Sequence, residues 1–196
     1  MALRMVVWGS GNVGRPAIRA VHSHEDMELA GLIVSSDNKV GVDAGEIAGL
    51  GAIGVIATKD WRSVLDQGAD AVVYTATADI RPEEAMADLL ACLEAGINVA
   101  STAFYAYLDP ASAPQEALEP INAACEKSGA SLFVSGIDPG WVMDMMPVVV
   151  SGAVSGIREL RTREIFNYAL YDQPHVVREV IGFGGSMDEL PMMLHD

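Results

Sequence analysis

What most constrains this chain is a glycine turn set between an apolar run and an amphipathic stretch. Arg4-Met5-Val6-Val7-Trp8 leads straight into Gly9-Ser10-Gly11-Asn12-Val13-Gly14, after which Val13, Ala17, Ala20 and Val21 recur on one helical face. Strand, glycine turn and helix in that order form the phosphate-cradling half of a dinucleotide-binding unit. Each glycine has its own reason. Gly9 permits the tight turn, Gly11 lets a pyrophosphate approach the main chain, and Gly14 lets the helix lie close on the strand. The helix N-terminus then presents unpaired N–H groups and a partial positive charge to the anion.

Downstream, buried-strand patterns alternate with helical ones. Residues 28–34, 70–76, 97–101 and 131–135 read as strands, being short apolar runs bounded by turn residues, as suits parallel strands covered on both faces. A short helix is expected over 60–65, capped by Asp60, whereas 39–54, with five glycines and no period, reads as a long ordered loop. Pro82 in a first turn, Glu83 and Glu84 at the positive dipole end and Gly96 past the close bracket a further helix. Its Met86, Leu89, Leu90 and Leu93 form a core-packing stripe. Another helix ends before Gly129, with Leu118, Ile121 and Cys125 on one face; Pro120 is expected to kink it or mark a late start.

Residues 1–140 are therefore expected to form an α/β, Rossmann-type, doubly wound parallel sheet. Residues 142–154 are apolar and Met-rich, as in a packing helix between two parts of the molecule. Weak alternation over 157–166 reads as the opening strand of a second, mixed α+β domain. Residues 141–196 are thus expected to hold a linking helix and an incomplete substrate or oligomerisation domain.

The formal net charge of −15 argues against nucleic-acid or anionic-membrane partners, which need basic patches, and accords with a cationic substrate such as an amine. Cys92 and Cys125 lack any paired or metal-ligand spacing and read as reduced thiols, so no metal site is expected. His22 and His24 read as a solvated helix end. No apolar run approaches the roughly 18 residues of a membrane span, and the N-terminal one is too short for a signal peptide. A cytoplasmic protein is expected.

In open α/β sheets ligands bind beyond the carboxyl ends of the strands. Thr75, Ala76, Thr77 and Ser101 fall at that edge, either touching a ribose and nicotinamide or serving as ordinary caps and turn formers. After the second strand come Ser35 and Ser36, which leave room for a 2′-phosphate that Lys39 would neutralise. Asp37 beside them is the type of residue that takes a 2′-hydroxyl, so the expectation is NADP with NAD left open. Asp138 is a candidate general acid or base, or an anchor for a substrate amine; alternatively it caps a helix beginning near Gly140. Tyr105 is a candidate proton donor or a pocket wall. His175, a lone loop histidine, ranks below Asp138.

With these residues in place, the chain resembles the dihydrodipicolinate-reductase-like oxidoreductases, and within them the 2,4-diaminopentanoate dehydrogenase and native amine dehydrogenase branch. The resemblance rests on the turn 7–14, on Val40-Gly41-Val42-Asp43-Ala44-Gly45-Glu46, on Asn98-Val99-Ala100-Ser101-Thr102 and on Gly136-Ile137-Asp138-Pro139-Gly140-Trp141. It implies that Gly9, Ser10, Gly11, Asn12, Val13 and Gly14 hold the pyrophosphate, and Ser35, Ser36 and Lys39 the adenosine ribose end. Thr75, Ala76, Thr77 and Ser101 would line the nicotinamide side. It further implies hydride transfer to or from a small amine, imine or carbonyl substrate, and a homo-oligomer in the full-length form. Amine-type members carry a carboxylate pair just after the Ser-Thr, where this chain has Ala103, Phe104 and Tyr105. Similar two-domain enzymes continue past residue 196, so a fragment or truncation is expected. The alternative is a non-catalytic nucleotide-binding regulatory module or pseudoenzyme subunit of the same fold.

Overall fold

Alternation along β1 (Leu3–Trp8) decides the layering. Val6 and Trp8 turn into one apolar layer, Met5 and Val7 into the other, because successive side chains of a strand leave on opposite faces. β1 pairs in parallel with β2 (Met27–Ile33) on one side and with β4 (Ala71–Tyr74) on the other. Outside these lie β3 (Ala57–Thr58) beyond β2, then β5 (Asn98–Ser101) and β6 (Leu132–Val134) beyond β4, giving the order β3-β2-β1-β4-β5-β6. α1 (Gly14–Ser23) and α2 (Ala44–Ala48) pack on the layer of Met5 and Val7. α3 (Trp61–Asp66), α4 (Pro82–Glu94) and α5 (Gln115–Ser128) pack on that of Val6 and Trp8. The expected doubly wound α/β architecture is thus present, in the computed structural model that describes residues 1–194.

Within it α4 buries Ala85, Leu89, Cys92 and Leu93 completely. Each buried leucine contributes about 1.5–3 kcal/mol by leaving water. Burial also pushes the Cys92 thiol up to about 12, with Asp88 adding to the shift, so it stays protonated. Both cysteines are free.

Three expectations need correction. The stretch read as a loop over 39–54 contains α2, started by Asp43, whose side chain accepts from the Gly45 N–H and makes the cap that five glycines obscured. α5 begins at Gln115, so Pro120 sits in its second turn and marks no late start. Residues 157–166 pair with no strand among the described residues; a strand needs a neighbour to take its N–H and C=O groups, and alternation alone supplies none.

The chain divides into two compact units, Met1–Ala153 and Val154–Asp196. The first includes α6 (Met146–Ser151), whose Val148, Val149 and Val150 are exposed. In the second, the described residues form short helical turns at Tyr168–Leu170, Val176–Val180 and Met192–Leu194. Among the described residues no helix is long and apolar enough to cross a membrane.

Candidate functional site

β1 and β4 are neighbours from which the chain winds in opposite directions, and such a switch point opens a crevice at the carboxyl edge of the sheet. The glycine turn lies there. The Gly9 N–H donates to Ile33 O at 2.9 Å, and the Thr75 N–H to Trp8 O at 2.7 Å, locking the turn between β2 and β4. Thr75 Oγ1 also donates towards Trp8 O and Gly9 O, at 3.2 and 3.3 Å.

Steric demands separate the three glycines. Gly9 has φ +111°, and a Cβ there would lie 2.7 Å from both Ala76 N and Thr75 Oγ1. A Cβ on Gly14 would fall 2.1 Å from Gly9 O. On Gly11 it would meet nothing within 4 Å. Gly9 and Gly14 are therefore fixed by the fold, whereas the space beside Gly11 is open. The first turn of α1 carries no acidic side chain and Val13 makes no side-chain cap, leaving its amide end to an anion.

At the far end of β2, Ser35 and Ser36 are exposed, followed by a turn over Asp37–Lys39. Lys39 Nζ reaches back to the glycine turn, donating to Ser10 O at 2.9 Å and Ser10 Oγ at 3.1 Å. Asp37 Oδ1 is paired with Lys59 Nζ at 2.5 Å. Asp43 anchors the loop between them. Its Oδ1 accepts from the Gly45 and Ile53 amides at 2.8 and 3.0 Å, and its Oδ2 from the Gly54 amide at 2.7 Å. These amides, that of Ile53 foremost, hold the carboxyl below its ordinary range against the opposing effect of burial.

Beyond β4 and β5 the candidates divide. Ser101 is buried, its hydroxyl donating to Tyr74 O at 3.1 Å and accepting from Ala103 N at 3.0 Å, so it braces the carboxyl edge of β5. Thr77 is exposed and Ala76 half-buried. Tyr105 is exposed, and its hydroxyl donates to Asp79 Oδ1 at 2.9 Å, joining the loop after β5 to the loop after β4. Behind them Tyr74, fully buried, donates to Asp88 Oδ2 at 3.0 Å, and Arg81 donates to both Asp88 and the Tyr74 oxygen. Burial, aided by the charge of Asp88, drives the Tyr74 phenol far above its usual range, so it remains a donor.

Asp138 is exposed in a non-helical bend with Pro139 and Gly140. It does not make the cap expected of it: the Gly140 N–H donates instead to Asp144 Oδ2, at 2.7 Å, from the helical turns that follow. His175 belongs to the second unit, where it precedes the turn Val176–Val180. The first unit therefore gathers the glycine turn, Lys39, Thr75 and Ala76 at one crevice. Asp37, Lys59, Asp43, Asp79 and the Tyr74–Arg81–Asp88 cluster are the additions that sequence reasoning missed or weighed lightly. Among the described residues no group of three or more His, Cys, Asp or Glu is placed to hold a metal ion.

A doubly wound parallel sheet with a sterically required glycine turn at its switch point defines a Rossmann-type dinucleotide-binding fold. More narrowly, the chain belongs to the family of the dihydrodipicolinate reductase N-terminus, whose model matches residues 3–106. It is 48% identical over 190 residues to an amine dehydrogenase from Streptomyces virginiae, covering 96% of this chain and 53% of that protein. A 4-hydroxy-tetrahydrodipicolinate reductase from Chromohalobacter salexigens is 35% identical over 92 residues, covering 46% of this chain and 32% of the relative. Among solved structures, an amine dehydrogenase from Mycobacterium smegmatis superposes with a TM-score of 0.66 at 26% identity, over 80% of this chain and 46% of that one. The chain spans about half the length, or less, of the relatives it matches.

Proposed function

We propose that this chain forms the coenzyme-binding half of an NAD(P)-dependent oxidoreductase acting on a small amine, imine or carbonyl compound. The observation that carries the reading is the contrast among the glycines: Gly9 and Gly14 are filled by the fold, while the space at Gly11 stands open beside an uncapped helix end. A pyrophosphate needs that cradle. The donor set fits a dinucleotide: Gly11, Asn12, Val13 and Gly14 would hold its phosphates, with Ser10 and Lys39 beside them. Ser35, Ser36 and the neighbouring charges would meet the adenosine ribose, and Thr75, Ala76, Thr77 and Ser101 would form the nicotinamide side. Bound there, the nicotinamide supplies or accepts a hydride.

The chain's own contribution is binding, orientation and proton handling. Tyr105, held by Asp79, is the group proposed to face the substrate. Its phenol keeps a proton at Oη, and the Asp79 carboxylate is positioned to accept one or to hold a cationic nitrogen. Asp138 and His175 remain secondary candidates. On this reading the protein works in the cytoplasm, where Cys92 and Cys125 stay reduced, and as a homo-oligomer. The 48% identity to an amine dehydrogenase over nearly the whole chain favours an amine or imine as substrate over a carbonyl compound.

Calorimetric titration of the chain with NADPH and NADH tests the first half of the proposal, and binding of neither would remove it. The second half is read at the 340 nm nicotinamide band, with the protein and a panel of amines, imines and ketones. Coenzyme binding without any turnover is what the non-catalytic regulatory reading expects.

A further inference from the structure

We propose that Arg81 is a positioning residue: its guanidinium closes the loop between β4 and α4 and so sets where Asp79 meets Tyr105. This rests on the reading that the Tyr105–Asp79 pair faces the substrate.

Residues 75–81 join β4 to α4. The loop is held firmly where it begins. Tyr74 O accepts from Ser101 Oγ at 3.1 Å and from the Thr102 N–H at 3.3 Å, and Thr75 is tied to the glycine turn. At the other end the Arg81 N–H donates to Ala78 O at 3.2 Å, closing a turn with Asp79 and Ile80 at its centre. The Arg81 carbonyl then accepts from the Ala85 N–H at 2.9 Å as α4 begins. Between these ends Thr77, Asp79 and Ile80 are exposed.

Arginine is an unusual choice at this place. Helix starts favour Ser, Thr, Asp or Asn, and a cation at the positive end of the dipole is unfavourable. Arg81 makes no side-chain cap. Its side chain folds back to the core instead, where Nη2 donates to Tyr74 Oη at 3.2 Å and pairs with Asp88 of α4. Tyr74 Oη donates in turn to Asp88 Oδ2 at 3.0 Å. One guanidinium therefore links the residue before the loop, the residue that ends it and the helix that follows. Its Nε is buried without a hydrogen-bond partner among the described residues, so the group forgoes one donor to stay there.

Asp79 feels the consequence. Asp79 and Tyr105 are both exposed and meet through one hydrogen bond of 2.9 Å, and an exposed pair holds its own geometry weakly. The turn carrying Asp79 takes its position from its ends. Releasing the guanidinium lets that turn drift, and displacing a proton donor by about 1 Å costs rate steeply while coenzyme binding is little affected.

Two changes cut the link from opposite ends. Tyr74→Phe keeps the ring and removes the oxygen, whereas Arg81→Lys keeps a charge for Asp88 without the reach to Tyr74. Each is assayed at 340 nm with NAD, NADP and a series of primary alkylamines, in the wild-type and Tyr105→Phe backgrounds. Either change is expected to lower kcat/KM about tenfold, with NADPH affinity by calorimetry held within about twofold. In the Tyr105→Phe background the same changes should cost less than about twofold, because the group they position is gone. Amide exchange should rise at least about threefold over residues 76–81 and 102–108 together, and stay unchanged in the second half of α4. Losses that multiply in the Tyr105→Phe background, or that fall equally on NADPH affinity, overturn the proposal. So does exchange that rises along α4 while residues 102–108 are unmoved. A wild type that binds NADPH but turns over none of the amines overturns the reading of Tyr105 and Asp79, and this proposal with it.

Discussion

The Tyr105 hydroxyl donates to Asp79 Oδ1 across 2.9 Å, so one hydrogen bond ties together the loops leaving β4 and β5. Because Tyr105 is exposed, the bond contributes little to stability, on the order of 0.5 kcal/mol. Its worth is in orientation. Tyr105→Phe is expected to shift the thermal midpoint by less than about 3 °C. In turnover assays it should lower kcat/KM by about 100-fold while leaving coenzyme affinity within a factor of about two. Stopped-flow and calorimetry on one preparation separate these effects, and equal losses in both would show that Tyr105 serves the coenzyme and not the substrate.

Tyr74, Asp88 and Arg81 make a polar cluster against the core, and Arg81 Nε is buried there without a hydrogen-bond partner among the described residues. Such a cluster is costly to break and of small net benefit when whole. Arg81→Met, which strands the largely buried Asp88 carboxylate, is expected to cost about 1–3 kcal/mol. The double variant Arg81→Met, Asp88→Leu should cost less than the sum of the two single changes. Urea unfolding of the four proteins closes the cycle, and strict additivity would show the cluster to be uncoupled.

The long, periodic elements were legible from sequence and the short ones were not. α4 announces itself through Pro82, a carboxylate-rich first turn and the stripe of Met86, Leu89, Leu90 and Leu93. By contrast α2 has five residues and β3 two, too few to carry a period of 3.6 or of 2. Losing β3 meant losing Lys59, because only its pairing with β2 brings that lysine to Asp37. The glycine turn could be read because its geometry is local. Tyr105 and Asp79 are 26 residues apart, and no spacing rule joins them. The α2 start had a local signal in Asp43 followed three residues later by Glu46, a helix-opening pattern masked by the surrounding glycines.

Asp43 also makes stability depend on pH in a defined direction. Amide donors, Ile53 first, lower its pKa in the folded chain, so folding favours the ionised form. The unfolded state then binds more protons as acid is added. The contribution is complete above the unfolded value near 3.8 and is lost as pH falls through the lower folded value. Asp43→Asn cannot accept from Gly45, Ile53 and Gly54 together, and should melt about 5 °C below wild type at pH 7. Melting curves by circular dichroism should show that gap constant down to about pH 5 and closing below about pH 4. A gap that widens in acid would mean that the carboxyl is stabilised in its protonated form.

The glycines offer the sharpest separation of folding from binding. At Gly14 a new methyl group would stand 2.1 Å from Gly9 O, inside main chain that has no room to move, so Gly14→Ala should cost about 3 kcal/mol or more and abolish coenzyme binding with it. Gly11→Ala meets nothing within 4 Å and requires no positive φ, so its thermal midpoint should match the wild type to within about 2 °C. Its methyl group nonetheless projects into the space assigned to the diphosphate, and NADPH affinity should fall at least about tenfold. Both coenzymes should lose equally, because the diphosphate is common to them. A Gly11→Ala chain that folds as the wild type does and binds NADPH undiminished would show that no diphosphate rests on this turn.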